Sequence, residues 1–432
     1  MEEETMPDHK LETLALHAGQ STSAESPSRA QPIHRTTAYQ FQNTEHAANL
    51  FALKELGYIY TRIMNPTQEA LESRLTALEN GAATLALASG TSAVFYSIIN
   101  IAVAGDEIVS SSHLYGGTFT MFNDILPHYG ITVRFVDPVD YEEVAAAINE
   151  KTRALFVETI GNPALSVPDI ERWAEIAHSN HLPLIADATF TTPHLFRSIE
   201  SGVDIVVNSL TKWIGGHGTG IGGAVTDAGR FDWTDPKFKT MNEPEPSYSG
   251  IRFAHDLGEL SPIAYALRMR VVPLRNLGAA ISPDNAWQFM QGTETLHLRM
   301  ERHSENALAV AQWLKKHKKV SWVRYPGLPD HPTHQNAKKY LKRGFGGMVV
   351  FGIEGGRAAG EKFINSLELF SHLANVGDAK SLAIHPASTT HSQLSDEQQA
   401  QGDLSPEFVR LSIGIEHIDD ILADLEQALS KA

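Results

Sequence analysis

Apolar residues fall along this chain in two rhythms. Short apolar runs, at residues 83–88, 107–110, 132–136, 154–158, 183–186 and 203–207, alternate with stretches whose apolar positions recur every three or four residues. A strand with one wet face alternates apolar and polar residues, so runs such as Val203, Ile205, Val206 and Val207 predict strands covered on both faces. The stretches between them predict helices. Residues 65–80 are the clearest case: Leu71, Leu75 and Leu78 form a stripe, Asn65 suits the N-cap and Pro66 the first helical position. Gln68 is placed to complete a capping box, and Gly81 to end the helix. Strands and helices in turn predict an α/β fold with a mostly parallel sheet between helices.

The rhythm changes past residue 230. Residues 231–285 are less regular, with Pro, Trp, Tyr and charged residues, and read as an insertion or lid. A long helix is predicted over 285–314, then strands at 320–325, 348–353, 369–376 and 408–413, as in a smaller C-terminal α/β domain. The last helix carries Ile418, Ile421, Leu422, Leu425 and Leu429 on one stripe. These shifts divide the chain into an N-terminal arm (1–64), a large domain (65–290) containing the insertion, and a small domain (291–432). The arm, irregular through Tyr60, is expected to pack outside its own domain.

Composition narrows the function classes. The 432 residues carry a formal charge of −16 and start Met1-Glu2-Glu3-Glu4, which argues against a nucleic-acid partner and for small-molecule substrates. No apolar run is long enough to span a bilayer, so no membrane partner and a cytoplasmic location are expected. There is no cysteine, which removes disulfides, thiolate metal sites and cysteine nucleophiles. The 20 histidines are scattered without an H-E-x-x-H pattern, and no metal site is expected.

Ligands of open α/β sheets sit beyond the strand C-termini. That rule gathers Ser89 to Ser92, Tyr115, residues 158–162, Asp187 and Ser209 to Lys212 onto one edge. Ser89, Gly90 and Thr91 open a helix, where free N–H groups and hydroxyls can hold an anion. Ser209 and Thr211 add short donors, and Lys212 an amine able to form a Schiff base, though a lysine after a strand is also a common solvated end. Asp187 would either pair with a protonated pyridine nitrogen or cap the next turn. Tyr60 and Arg62 lie on one side of an extended segment, suited to a phosphate or to a surface ion pair. Arg410 would face a substrate carboxylate or solvent, and residue type alone favours solvent. Residues 218–223, GTGIGG, match the dinucleotide pattern of a nicotinamide oxidoreductase, but a strand at 224–226 follows where that fold needs a helix.

Taken together, the segments YTRIMNPTQ (60–68), ASGTSA (88–93), LYGGT (114–118), ETIGNP (158–163), IADATF (185–190), VNSLTKWIGGHG (207–218), HPAST (385–389) and VRLSIGIE (409–416) resemble the pyridoxal-phosphate-dependent enzymes of cysteine and methionine metabolism. The resemblance implies the PLP-dependent transferase fold type I, aspartate aminotransferase-like, with pyridoxal 5'-phosphate as cofactor. It implies Lys212 as Schiff-base lysine and proton carrier, Asp187 beside the pyridine nitrogen, Tyr115 stacked on the ring and Asn162 at the ring oxygen. Ser89, Gly90, Thr91, Ser209 and Thr211 would hold the phosphate. Tyr60 and Arg62 would reach in from a neighbouring subunit, which implies a homo-oligomer with shared sites, a dimer usually doubled to a tetramer. Arg410 and Asn375 would bind substrate.

Within the family, GAAISPDNAW, LRMERHSENALAVAQWL and ANVGDAKSLAIHPASTTHSQL are similar to the branch that exchanges the acetate of O-acetylhomoserine for sulfide or methanethiol, giving homocysteine or methionine. Gly117 stands where methionine γ-lyases carry a reactive cysteine. Methionine γ-lyase, cystathionine γ-synthase and O-succinylhomoserine sulfhydrylase activities remain the alternatives on the same cofactor.

Overall fold

Seven strands form the larger sheet: β1 (Ala83–Leu87), β2 (Glu107–Ser111), β3 (Thr132–Val136), β4 (Thr152–Glu158), β5 (Leu184–Asp187), β6 (Ile205–Ser209) and β7 (Gly223–Asp227). Their order is β1-β7-β6-β5-β4-β2-β3, and only β7 runs antiparallel to its neighbours. The structure, a computed structural model, describes residues 9–20, 27–389 and 405–432; the acidic start Met1 to Glu4 and the motif end from Thr390 to Leu394 lie outside them. Along β4, Leu155 and Val157 enter one apolar core while Ala154 and Phe156 enter another on the opposite face. Both faces are dry, which is why these strands read as unbroken apolar runs.

The helix Pro66–Glu79 starts on the Asn65 cap, whose side chain accepts from the Thr67 N–H at 2.9 Å. Two details of its ends differ from expectation. Gln68 is pulled away from the cap to donate to the Ile281 carbonyl, and the left-handed residue at the C-terminus is Asn80 (φ 61°), ahead of Gly81. Fully buried Arg74 donates to the carbonyls of Leu16, Ala18 and Met290, tying the N-terminal helix Leu11–His17 and the helix Pro283–Glu294 to this one. The arm is therefore not irregular throughout: it holds that helix and another, Thr44–Phe51.

Residues 231–285 are not a lid. Trp233, Phe238, Met241, Tyr248, Phe253 and Tyr265 are buried in the core on one face of the large sheet, with Trp233 stacked on Tyr265 at 5.1 Å. Short helical turns, several with a proline at their start or inside them, let each aromatic reach this core, so no single period shows in the sequence.

The helix expected over 285–314 is two, Pro283–Glu294 and Leu296–Leu314, broken at Thr295. The smaller sheet contains β8 (Val320–Arg324), β9 (Met348–Ile353), β10 (Ser371–His372), β11 (Leu382–Ile384) and β12 (Phe408–Ser412), in the order β10-β11-β12-β9-β8. The strand expected over 369–376 shrinks to the two residues of β10; ahead of it, Asp424 draws the N–H groups of Glu368, Leu369 and Phe370 out of any ladder. The unforeseen β11 takes its place beside β12. Among the described residues no helix is long and apolar enough to cross a membrane.

Where the N-terminal helix meets the two sheets' helices, His194 is buried with neither ring nitrogen hydrogen-bonded, and Glu301 is its nearest carboxylate at 3.9 Å. Burial, with Arg343 nearby, pulls its pKa from 6.5 to about 4. The unfolded chain therefore binds the extra proton in that window. The neutral ring contributes fully above pH 6.5 and progressively less as pH falls toward 4. We predict that, in urea unfolding between about pH 7 and about pH 5, the wild type loses stability relative to His194→Leu. A pH-independent difference contradicts this.

Candidate active site

β1, β2, β4, β5 and β6 all point their C-terminal ends at one edge, since β7 reverses direction on both sides and leaves β1 running with β6. The residues at those ends are built from unlike local structures. Ser89 caps the helix Gly90–Ile99 through a reciprocal pair: its hydroxyl accepts from the Ser92 N–H and the Ser92 hydroxyl from the Ser89 N–H, both at 3.0 Å. Gly90 and Thr91, the first two residues of that helix, have N–H groups with no intrahelical acceptor, which aims positive partial charge outward. A Cβ on Gly90 would lie 2.6 Å from the Ser209 Cβ, so only glycine lets this helix start sit against the end of β6. Ser209 is held by its N–H to the Thr189 hydroxyl at 2.8 Å, while the Thr211 hydroxyl is bonded to the Gly222 main chain.

Lys212 follows in a tight turn. Arg299, buried in the helix Leu296–Leu314, donates to the carbonyls of Trp213 (2.6 Å), Ile214 (3.1 Å) and Gly292 (2.6 Å). A loop of the small domain presses on the turn's other side: Ala379 N–H donates to the Gly216 carbonyl at 2.8 Å. At Gly377 (φ +78°) a Cβ would come within 2.6 Å of the Trp213 nitrogen. The Gly377 N–H in turn donates to the Ser412 hydroxyl at 2.9 Å. This lacing brings Asn375 to Lys212, whose Nζ donates to Oδ1 at 2.5 Å. Arg410, on β12 two residues before Ser412, is part-buried rather than facing open solvent. The register that buries Val409 and Leu411 in the small-domain core turns it toward the edge. Burial, then the charge of Arg410, lowers the Lys212 pKa from 10.5 to about 8.

Asp187 ends β5 and accepts from the Thr189 N–H at 2.9 Å; among the described residues it has no cationic partner, and burial pushes its pKa up. Tyr115 is half exposed, its N–H donated to Glu158 Oε1 at 2.6 Å. A Cβ on Gly117 would fall 2.5 Å from the Tyr115 ring, so a cysteine there would force the ring to move. Asn162 is buried next to the end of β4. Tyr60 and Arg62 stand apart: both are exposed, the guanidinium 5.2 Å above the phenol ring, and among the described residues no hydrogen bond joins them to the other candidates. Residues 218–223 run into β7, a strand antiparallel to β6, so the glycine loop is not a dinucleotide turn.

Arg299, Gly377 and Glu158 were not singled out by role from the sequence. Arg299 left a signal, since it and His303 occupy the buried stripe of their helix with Leu296 and Met300. A charge on an apolar stripe needs a partner.

The Cys/Met metabolism PLP-dependent enzyme family model matches residues 12–430. The chain is 54% identical, over 99% of its length and 98% of the relative's, to the O-acetyl-L-homoserine sulfhydrylase of Leptospira meyeri. It is 51% identical to the homocysteine synthase of Schizosaccharomyces pombe, over 98% of both. Its structure superposes with a TM-score of 0.93 on a crystal structure from Campylobacter jejuni named as an O-acetylhomoserine (thiol)-lyase, which carries N'-pyridoxyl-lysine-5'-monophosphate. That pair is 39% identical, covering 98% of this chain and 100% of the other.

An amine that loses its proton near pH 8 reacts as a nucleophile close to neutrality, unlike an exposed lysine. In the cofactor-free protein, acylation of Lys212 followed by mass spectrometry is expected to rise with a midpoint near pH 8, and Arg410→Met to move it upward. A wild-type midpoint near that of the exposed lysines contradicts the desolvated environment.

Proposed function

Because the chain belongs to the Cys/Met metabolism PLP-dependent enzymes and has their fold type I architecture, we propose that it catalyses γ-replacement on O-acetyl-L-homoserine, converting it with sulfide to L-homocysteine and acetate, or with methanethiol to methionine. The observation that carries this reading is the part-buried amine of Lys212, which has Asn375 and Arg410 beside it and lies on the same sheet edge as Asp187. The residues fit the cofactor. The helix start at Ser89, Gly90 and Thr91, with Ser209 and Thr211, would hold its phosphate. Asp187, a part-buried carboxylate with no cationic partner among the described residues, would face its ring nitrogen, Tyr115 would cover the ring and Asn162 would meet the ring oxygen. When bound, pyridoxal phosphate supplies the electron sink that makes the substrate's α-proton removable.

The chain's own groups do the rest. Arg410 holds the substrate carboxylate by a forked pair of N–H donors, which orients the α-carbon toward Lys212. Lys212, readily deprotonated in this setting, takes the α-proton and carries protons between carbons as acetate leaves the γ-carbon and sulfide adds there. Asn375 offers its amide oxygen to the Lys212 amine between those steps. Gly117 favours replacement over γ-lyase chemistry, since it leaves the Tyr115 ring where a cysteine would displace it.

The same reading makes the enzyme a cytoplasmic homo-oligomer, a tetramer built of dimers, in which Tyr60 and Arg62 complete the neighbour's phosphate site. Their exposure, away from their own chain's site residues, supports this.

Product analysis tests the reaction. With O-acetylhomoserine, homocysteine and acetate are expected only when sulfide is present; 2-oxobutanoate and ammonia dominating even with sulfide point to a lyase instead. Lys212→Ala is expected to lose turnover while still binding cofactor, and full activity in that variant removes Lys212 from the mechanism. Co-refolding Lys212→Ala with Arg62→Ala tests the shared site. Random mixing makes half the dimers hybrids with one intact site of two, so about a quarter of wild-type activity returns. No recovery means that each site is built within one subunit.

A further inference from the structure

β4 lies between β2, whose chain continues to Tyr115, and β5, which ends in Asp187. Its last residue, Glu158, is therefore the one side chain on the edge that stands between the two. Glu158 is 5% exposed and pairs in register with Asp187. Its carboxyl accepts from the Tyr115 N–H at 2.6 Å and also from the Asn162 N–H. Among the described residues no lysine, arginine or histidine is paired with it.

Tyr115 has little else to fix it. It opens the five-residue helix Gly116–Thr120 without a side-chain cap, and the residue is 51% exposed. The neighbouring Gly117 offers no Cβ to lean on. The Tyr115 N–H is anchored by Glu158, from the end of a strand buried along its whole length.

We propose that Glu158 is a positioning residue for Tyr115: from the rigid end of β4 its carboxyl fixes the main chain at the start of the helix Gly116–Thr120, and so sets the height of the Tyr115 ring over the cofactor. Burial, then the adjacent Asp187, pushes the Glu158 pKa well above the ordinary carboxylate range. In its neutral form it still accepts through its carbonyl oxygen. An amide of the same shape should serve as well, whereas a side chain without an acceptor should not. The proposal rests on the reading of Tyr115 as the residue that covers the cofactor ring.

The test is cofactor affinity and visible circular dichroism, measured by adding pyridoxal 5'-phosphate to cofactor-free full-length protein. The variants are Glu158→Gln, Glu158→Met, Tyr115→Ala and the double variant Tyr115→Ala/Glu158→Met, with melting temperatures confirming that each is folded. Glu158→Gln is expected to bind within about threefold of wild type with an unchanged spectrum. Glu158→Met, which takes the acceptor from both the Tyr115 and the Asn162 N–H groups, should bind at least about tenfold more weakly, the scale of a lost buried hydrogen bond, with an altered spectrum. In the Tyr115→Ala background Glu158→Met should cost clearly less than it does in the wild type, because only the Asn162 N–H is left for it to hold. Additive losses, wild-type affinity in Glu158→Met, or a Glu158→Gln variant as weak as Glu158→Met overturn the proposal. If Glu158→Met does not fold, Glu158→Gln decides alone: affinity within about threefold supports the neutral acceptor and a tenfold loss overturns it. Should Tyr115→Ala itself bind like wild type, the failure lies with the assignment of Tyr115.

Discussion

Arg299 fixes the turn on which the site depends. A guanidinium taken out of water must find acceptors, and this one takes the carbonyls of Trp213 and Ile214, next to Lys212, together with that of Gly292. Burial alone lowers its pKa to about 10, still far above neutrality, so it stays charged and its bonds stay strong. Because Arg299 belongs to the long helix that packs on the small sheet, the turn at the end of β6 is held by both halves of the molecule. The loop from Asn375 to Ala379 closes it from the other side, with Gly377 allowing contact that any side chain would forbid. Lys212 is thus desolvated and oriented by main-chain geometry before any ligand arrives.

Much of the large domain could be read from the sequence because its strands are buried on both faces, and burial on both faces leaves apolar runs that need no alignment to see. The rule that ligands sit at strand C-termini then collected Ser89, Tyr115, Asp187 and Lys212 onto the edge where the structure has them. What could not be read has physical causes. Residues 231–285 bury aromatic side chains from short turns without a period, so core looked like a lid. The strand expected at 369–376 starts late because one carboxylate, Asp424, takes the N–H groups of Glu368, Leu369 and Phe370, a contact some fifty residues away along the chain. Local pattern carries no sign of such a bond.

Arg410 shows the same limit within the site. Its alternation with Val409 and Leu411 was legible, but whether the other face meets water or a cleft depends on how the small domain sits against the large one. Residue statistics chose water, and the structure turns the side chain toward Lys212. Glu158 was visible as a strand-end residue, yet its tie to Tyr115 is made through a backbone N–H, which any residue but proline would offer at 115. The family resemblance supplied the cofactor, and the near full-length likeness to the Leptospira meyeri and Schizosaccharomyces pombe proteins agrees with the branch it suggested.

The most direct test of this account is to reduce the cofactor-loaded protein with borohydride, digest it and locate the pyridoxyl group by mass spectrometry. The account predicts the label on Lys212, and no label in Lys212→Ala treated the same way. Label on another lysine of the wild type, or none on Lys212 at full cofactor occupancy, would contradict the assignment on which the mechanism rests.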